Sequence, residues 1–178
     1  RLDRDGQAAI EKADFQTAIV QLSKAAEIDP NNASVHSSRG VALMRKGDLS
    51  AALKSLDTAC VLSPETAAFF YNRGNIHRKT GSLDKAIDDY SKAIALDPSH
   101  ARAMCNRGGI FFTKKEFEKA IAEFNAALKI DGSNIEALTG RGRALERMDR
   151  IDQAVKDYER ACQVDPKDAR GFAHLGGL

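Results

Sequence analysis

Between residues 86 and 94 the apolar positions Ala86, Tyr90, Ala93 and Ile94 fall at i, i+4, i+7 and i+8, one face of a helix. Such stretches stop and restart at a fixed interval. Gly6, Gly40, Gly74, Gly108, Gly142 and Gly176 are each separated by 34 positions. The same step relates Ala18, Ala52, Ala86, Ala120 and Ala154, then Ala25, Ala59, Ala93, Ala127 and Ala161. Pro30, Pro64, Pro98 and Pro166 form a further column, with Gly132 standing in once. Several columns sharing one period mark a chain built from one repeated unit.

Each unit has room for two helices. Gly47-Asp48 and Gly81-Ser82 mark the break between them, a glycine suited to a left-handed helix stop followed by a good N-cap. Asp29-Pro30, Ser63-Pro64, Asp97-Pro98 and Asp165-Pro166 close the units, because proline forces the residue before it out of helical geometry. Asn32, Thr66, Asn134 and Asp168 are the caps expected for the helices that follow. A helical glycine needs compensation, since it destabilises a helix by roughly 0.5 to 1 kcal/mol relative to alanine. Close packing supplies it if Gly74 faces Ala86, with Phe70 and Tyr90 filling the flanks. Lys115 replaces the inter-helix glycine and Gly132 the closing proline, so altered turns are expected in that repeat.

These columns resemble the tetratricopeptide repeat, whose motif runs aromatic, leucine-glycine, tyrosine, alanine, aromatic, proline. Residues 67 to 98 carry it as Phe70, Gly74, His77, Ala86, Tyr90 and Pro98. The strict step and the glycine and alanine columns favour this family over the pentatricopeptide repeat, its nearest competitor, whose members read RNA. The resemblance implies an all-α fold, a right-handed superhelical α-solenoid of antiparallel helix-turn-helix repeats. It covers residues 1–178 as a single solenoid domain, with repeats at about 1–30, 33–64, 67–98, 101–132 and 135–166 and a truncated one at 169–178. With no methionine before Arg1 and only a first helix after Ala169, a piece of a longer protein is expected. Arg39, Arg73, Arg107 and Arg141 stand where the motif has leucine. Packing of their stems between hairpins, with the guanidinium at a carboxylate or in solvent, competes with a ligand-contacting row.

In such repeats the first helices line a concave groove, at the second, fifth, sixth, ninth, twelfth and thirteenth places. Carried onto this chain, those places include Ser37, Cys105, Gly109, Thr113, Glu136, Thr139, Gly140 and Glu146. The residues expected to touch an extended peptide are Tyr71, Asn72, Asn75, Arg78, Arg102, Asn106, Phe112, Arg143 and Arg147. Asn72 and Asn106 are equivalent positions one repeat apart and can give and accept backbone hydrogen bonds. Arg78, Lys79, Arg102, Arg143, Arg147 and Arg170 outnumber Glu136 and Glu146, so acidic segments are the expected partners. First helices about 10 Å apart, against about 3.3 Å per extended residue, give each repeat roughly three ligand residues. The chaperone-carboxylate clamp of some family members needs lysines and an arginine where this chain offers Tyr71, Glu136 and Gly140, so that mode is not expected. On the outer helices, Asp88 precedes Lys92 and Asp152 precedes Lys156 by four, as in solvent-facing ion pairs.

Composition narrows the function further. With 178 residues, 43% hydrophobic and 29% charged, the chain should fold. Lysine and arginine number 27 against 25 acids, a net charge of +2, which is too little for wholesale phosphate neutralisation, and no nucleic-acid partner is expected. No apolar run approaches the roughly 18 residues that span a bilayer, so no membrane role is expected. Three cysteines without CxxC spacing predict free thiols and a reducing, cytoplasmic compartment. His36, His77, His100 and His174 form no metal or triad spacing, and no GxGxxG or Walker pattern occurs. The reading is a non-catalytic scaffold or adaptor with no cofactor; the alternative is a substrate-recruiting region of a larger enzyme.

Overall fold

The computed structural model describes residues 2–11, 14–167 and 169–175. Gly176 and the Asp168 cap lie outside the described residues, as do the side chains of Arg170 and His174. Two compact units divide the chain, Arg1–Leu96 and Asp97–Leu178. The first contains α1 (Leu2–Glu11), α2 (Phe15–Ile28), α3 (Ala33–Lys46), α4 (Leu49–Leu62), α5 (Ala67–Lys79) and α6 (Leu83–Leu96). The second contains α7 (Ala101–Thr113), α8 (Phe117–Ile130), α9 (Ile135–Arg147), α10 (Ile151–Val164) and α11 (Ala169–Leu175). Within each unit, consecutive helices pair and successive pairs stack, the arrangement of an all-α solenoid. No strand occurs among the described residues.

Helix ends follow the residues at the breaks. The Asn32 side chain accepts from Val35 N at 3.2 Å, Asp48 from Ala51 N at 3.0 Å and Asn134 from Ala137 N at 2.9 Å, each satisfying an amide that the helix leaves unpaired. Asp14 serves α2 in the same way, and His100 serves α7 through Nδ1 at 3.3 Å from Ala103 N. Thr66 precedes α5 without a side-chain cap bond, its hydroxyl being 2.9 Å from that of Ser63.

The repeat with Lys115 and Gly132 keeps the geometry of its neighbours. Gly47, Gly81, Lys115 and Asp149 occupy one column, and all are left-handed, with φ of 98°, 77°, 62° and 60°. The break therefore demands the conformation whatever residue stands there, at a cost to lysine that glycine would not carry. At Gly132 the preceding aspartate makes the turn. Asp131 Oδ1 accepts from Ser133 N at 3.0 Å, as Asp97 Oδ1 does from Ser99 N at 3.0 Å before the proline-containing turn. The Ser99 and Ser133 hydroxyls donate to the same oxygens at 2.6 Å, and these bonds first, with the amide bonds beside them, hold both carboxyls below the usual aspartate range.

The glycine column packs as expected but against a different residue. A Cβ on Gly74 would sit 2.8 Å from Tyr90 Cε1, and one on Gly142 would sit 2.6 Å from Tyr158 Cε1. Gly6 and Gly40 meet Leu22 and Leu56 in the same way. The missing side chain thus accommodates the large residue four places after the alanine, while Ala86 itself is fully buried. Side chains on a helix lean toward its N-terminus, so the ring covers the glycine from one turn away.

The arginine column is a set of latches. Arg73 Nε and Nη2 donate to Asp89 at 2.7 to 3.3 Å, and Nη1 donates to Asp57 in the preceding hairpin at 3.0 Å. Arg141 repeats this with Asp157, Nε to Oδ2 at 2.8 Å and Nη2 to Oδ1 at 2.5 Å, and with Asn125 at 2.6 Å. Arg107 Nη2 donates to Glu123 at 2.7 Å, whereas Arg39 Nε donates to the Ser55 hydroxyl at 3.1 Å and to no carboxylate among the described residues. Asp89 and Asp157 are buried, so the guanidinium is what makes their charge tolerable. Asp88 and Asp152 form no ion pairs with Lys92 and Lys156 among the described residues. Lys92 Nζ lies instead 6.0 Å from the Phe70 ring centre.

Candidate protein-binding face

In the first unit, α5 carries four of the expected contact residues. Tyr71 is half-buried, its ring 6.0 Å from that of Tyr90. Asn75 Oδ1 accepts from the Tyr90 hydroxyl at 2.8 Å, so part of an amide expected to hold a ligand holds the core tyrosine. Asn72 is half-buried and Arg78 exposed.

In the second unit the expected residues converge. Gly109, Phe112 and Thr113 of α7 meet Gly140, Arg143 and Arg147 of α9 around a cleft of about 340 Å³, completed by Lys115 and Phe124. The Arg143 guanidinium carbon stands 4.5 Å from the Phe112 ring centre and that of Arg147 stands 5.1 Å from Phe117. Phe112 and Phe117 meet edge to face at 5.5 Å. Neither arginine forms an ion pair among the described residues, and both are exposed, so the ring faces hold two solvated guanidinium groups with no carboxylate paired to them. Arg102 is exposed at the start of α7 and Asn106 half-buried one turn on. The cleft therefore combines aromatic walls with a cationic rim, a chemistry suited to an acidic chain bearing apolar side chains.

Three places assigned to the groove are not on it. Ser37, Cys105 and Thr139 are buried, Cys105 Sγ lying 3.9 Å from Asn134 Oδ1 and Thr139 Oγ1 donating to Ile135 O at 2.8 Å. A first helix flanked by its own partner and by the next hairpin buries more than one narrow stripe. Glu146 is half-buried and accepts from the Tyr158 hydroxyl at 3.0 Å. Burial pushes the Cys60 thiol up to about 11 and the Cys105 thiol up to about 12, which leaves both protonated and inert.

Phe117, Lys115 and Phe124 were not among the residues expected at the site. Phe117 opens a second helix, where Leu49, Leu83 and Ile151 are its aliphatic equivalents. Phe15 is the other aromatic of that column, so the position alone did not single Phe117 out. Among the described residues no His, Cys, Asp or Glu cluster could hold a metal, and no helix is long and apolar enough to cross a membrane.

Paired helices in a 34-residue register, close-packed at glycine, define a helical-hairpin repeat protein. Tetratricopeptide repeat family profiles match residues 39–99 and 71–135, residues 6–47 and residues 135–168, and the chain belongs to that family. A crystal structure of MamA is 30% identical, with 93% of this chain and 96% of that one covered and a TM-score of 0.83. YrrB, described as a TPR protein with an unusual peptide-binding site, is 18% identical over 97% of this chain and 89% of its own, with a TM-score of 0.79. The pilF protein of Pseudomonas aeruginosa is 20% identical over 96% of this chain and 78% of its own, with a TM-score of 0.87. At these last two identities the likeness is one of fold. A search of curated protein sequences finds no match.

Proposed function

We propose that this chain is a protein-interaction scaffold that holds an extended, acidic segment of a partner protein on its first helices and performs no chemistry of its own. The observation that carries the reading is the convergence of Gly109, Phe112, Thr113, Gly140, Arg143 and Arg147 on one cleft. All six occupy places that face the ligand in similar repeats. Arg143 and Arg147 supply attraction for acids, while Asn106 and, in the first unit, Asn72 can bond a partner's backbone. A cytoplasmic setting belongs to the same proposal and is consistent with three free thiols.

Capture of a partner by the whole chain, followed by titration against variants, tests the reading. Arg102→Glu and Arg143→Glu should weaken binding chiefly at low salt, where charge attraction is least screened. Asn72→Ala with Asn106→Ala should weaken it by about 1 to 3 kcal/mol, two hydrogen bonds at roughly 0.5 to 1.5 kcal/mol each. Affinity that survives all four changes, yet is lost when Asp88 or Lys156 on the second helices is altered, places the partner elsewhere.

A further inference from the structure

Among the described residues, helical glycines have a packing reason, with one exception. A Cβ on Gly108 would lie 3.1 Å from Glu123 Cβ and from the Phe124 ring, and one on Gly140 would lie 2.5 Å from that ring. Gly6, Gly40, Gly74, Gly142 and Gly171 are blocked as closely. Gly109, in the middle of α7, has nothing within 4 Å of where its Cβ would stand. Glycine is the poorest helix former after proline, and here nothing in the fold requires it. What the absent side chain leaves is the opening of the cleft, between Phe112 on its own helix and Gly140 and Arg143 on α9.

We infer that Gly109 is the floor of a specificity pocket, and that the pocket takes one bulky apolar side chain of the partner with an acidic residue immediately beside it. This deepens the reading of the face as a protein-binding surface and rests on it. The apolar half follows from the walls: the Phe112 ring on one side and the Phe124 ring beneath Gly140 on the other. The acidic half follows from the rim, where Arg143 and Arg147 are held over Phe112 and Phe117 at 4.5 and 5.1 Å with no carboxylate of the described chain paired to them. Lys115 adds a third cation at the mouth. A bare anion would leave the rings in water, and a purely apolar residue would gain nothing from the two guanidinium groups on the rim. An apolar body with a carboxylate next to it answers both.

The probe is N-acetyl-phenylalanyl-glutamate amide, titrated into the whole ¹⁵N-labelled chain and read by amide shifts. Saturable shifts are expected at Gly109, Thr113 and Gly140. The phenylalanyl-glutamine and glycyl-glutamate analogues should each bind about five-fold more weakly or worse, the loss expected from about 1 kcal/mol of charge attraction or apolar burial. Gly109→Met should abolish the shifts by filling the pocket, without lowering Tm. Gly109→Ala should raise Tm by about 2 to 4 °C through helix propensity alone. A fall in Tm for Gly109→Ala would show that the glycine serves packing, and the inference fails. It fails equally if glycyl-glutamate binds as well as phenylalanyl-glutamate, or if Gly109→Met binds the probe like the parent. Sedimentation of the chain alone is the remaining arm: dimers that Gly109→Met dissociates would make a second copy the occupant and overturn the assignment to a partner protein. The broader reading is judged separately. A captured partner that tolerates Gly109→Met but is lost with Arg102→Glu and Asn106→Ala leaves the face in place and removes the pocket.

Discussion

Two repeats separate the cleft of the second unit from its counterpart in the first. There Val41 stands for Gly109, Met44 for Phe112, Asn75 for Arg143 and Lys79 for Arg147. Met44 packs onto the core of Ala52, Leu56 and Ile76, and Asn75 is bonded to Tyr90, so these two side chains serve the interior while Lys79 stays exposed. In the second unit the aromatic at the same place is covered by an arginine and a second ring, and the glycine beside it leaves a space. The columns that set the fold are the same in both units; the columns between them are not. Packing constrains the glycine, the alanines and the large residue opposite the glycine, while the exposed face of each first helix is free to carry a different surface.

The comparison can be sharpened by exchanging equivalent residues. The largest effect is expected at the latches. Arg141→Ala strands the buried Asp157 carboxylate and should cost about 3 kcal/mol, whereas Arg39→Ala removes one bond to a hydroxyl and should cost about 1 kcal/mol. Urea denaturation of the two variants reads the difference, and equal losses would contradict the ion-pair account.

Next in size is a contrast of sign between two helical glycines. Gly142→Ala drives a methyl into the Tyr158 ring and should destabilise by about 1 to 3 kcal/mol, while Gly109→Ala should stabilise by about 0.5 to 1 kcal/mol. Thermal unfolding of both variants decides whether packing is the reason for one glycine and not the other. Smallest is the turn column. Lys115→Gly relieves a left-handed lysine and should stabilise by roughly 0.5 to 1 kcal/mol, and Asp149→Gly by less, because aspartate tolerates that conformation better. A loss of stability at Lys115→Gly would mean that the lysine side chain contributes more than its backbone costs.

Most of the fold was legible because its period is written in residues with strong local preferences. Asp48, Asn32 and Asn134 cap helices, and Gly47 and Gly81 end them, for reasons that need no tertiary context. The partner of the glycine was misassigned because a column of alanines marks a close approach without giving the direction in which neighbouring side chains lean, and Tyr90 leans over Gly74. The site was legible only in part. Repeat positions identified Phe112, Arg143 and Arg147 as facing the same way, but counted Ser37, Cys105 and Thr139 as surface because burial between stacked hairpins is wider than one helix pattern suggests. Phe117 escaped notice because it belongs to a second helix, and its role exists only where α8 begins beside Phe112.

The claim that the first-helix face is where this protein meets its partner is tested most directly by site-specific photocrosslinking. A benzophenone amino acid placed at Thr113, on the cleft, and in a second variant at Lys156, on a second helix, would be irradiated in the presence of the captured partner. Adducts at Thr113, with none at Lys156, are the result expected. Adducts confined to Lys156 would contradict the account.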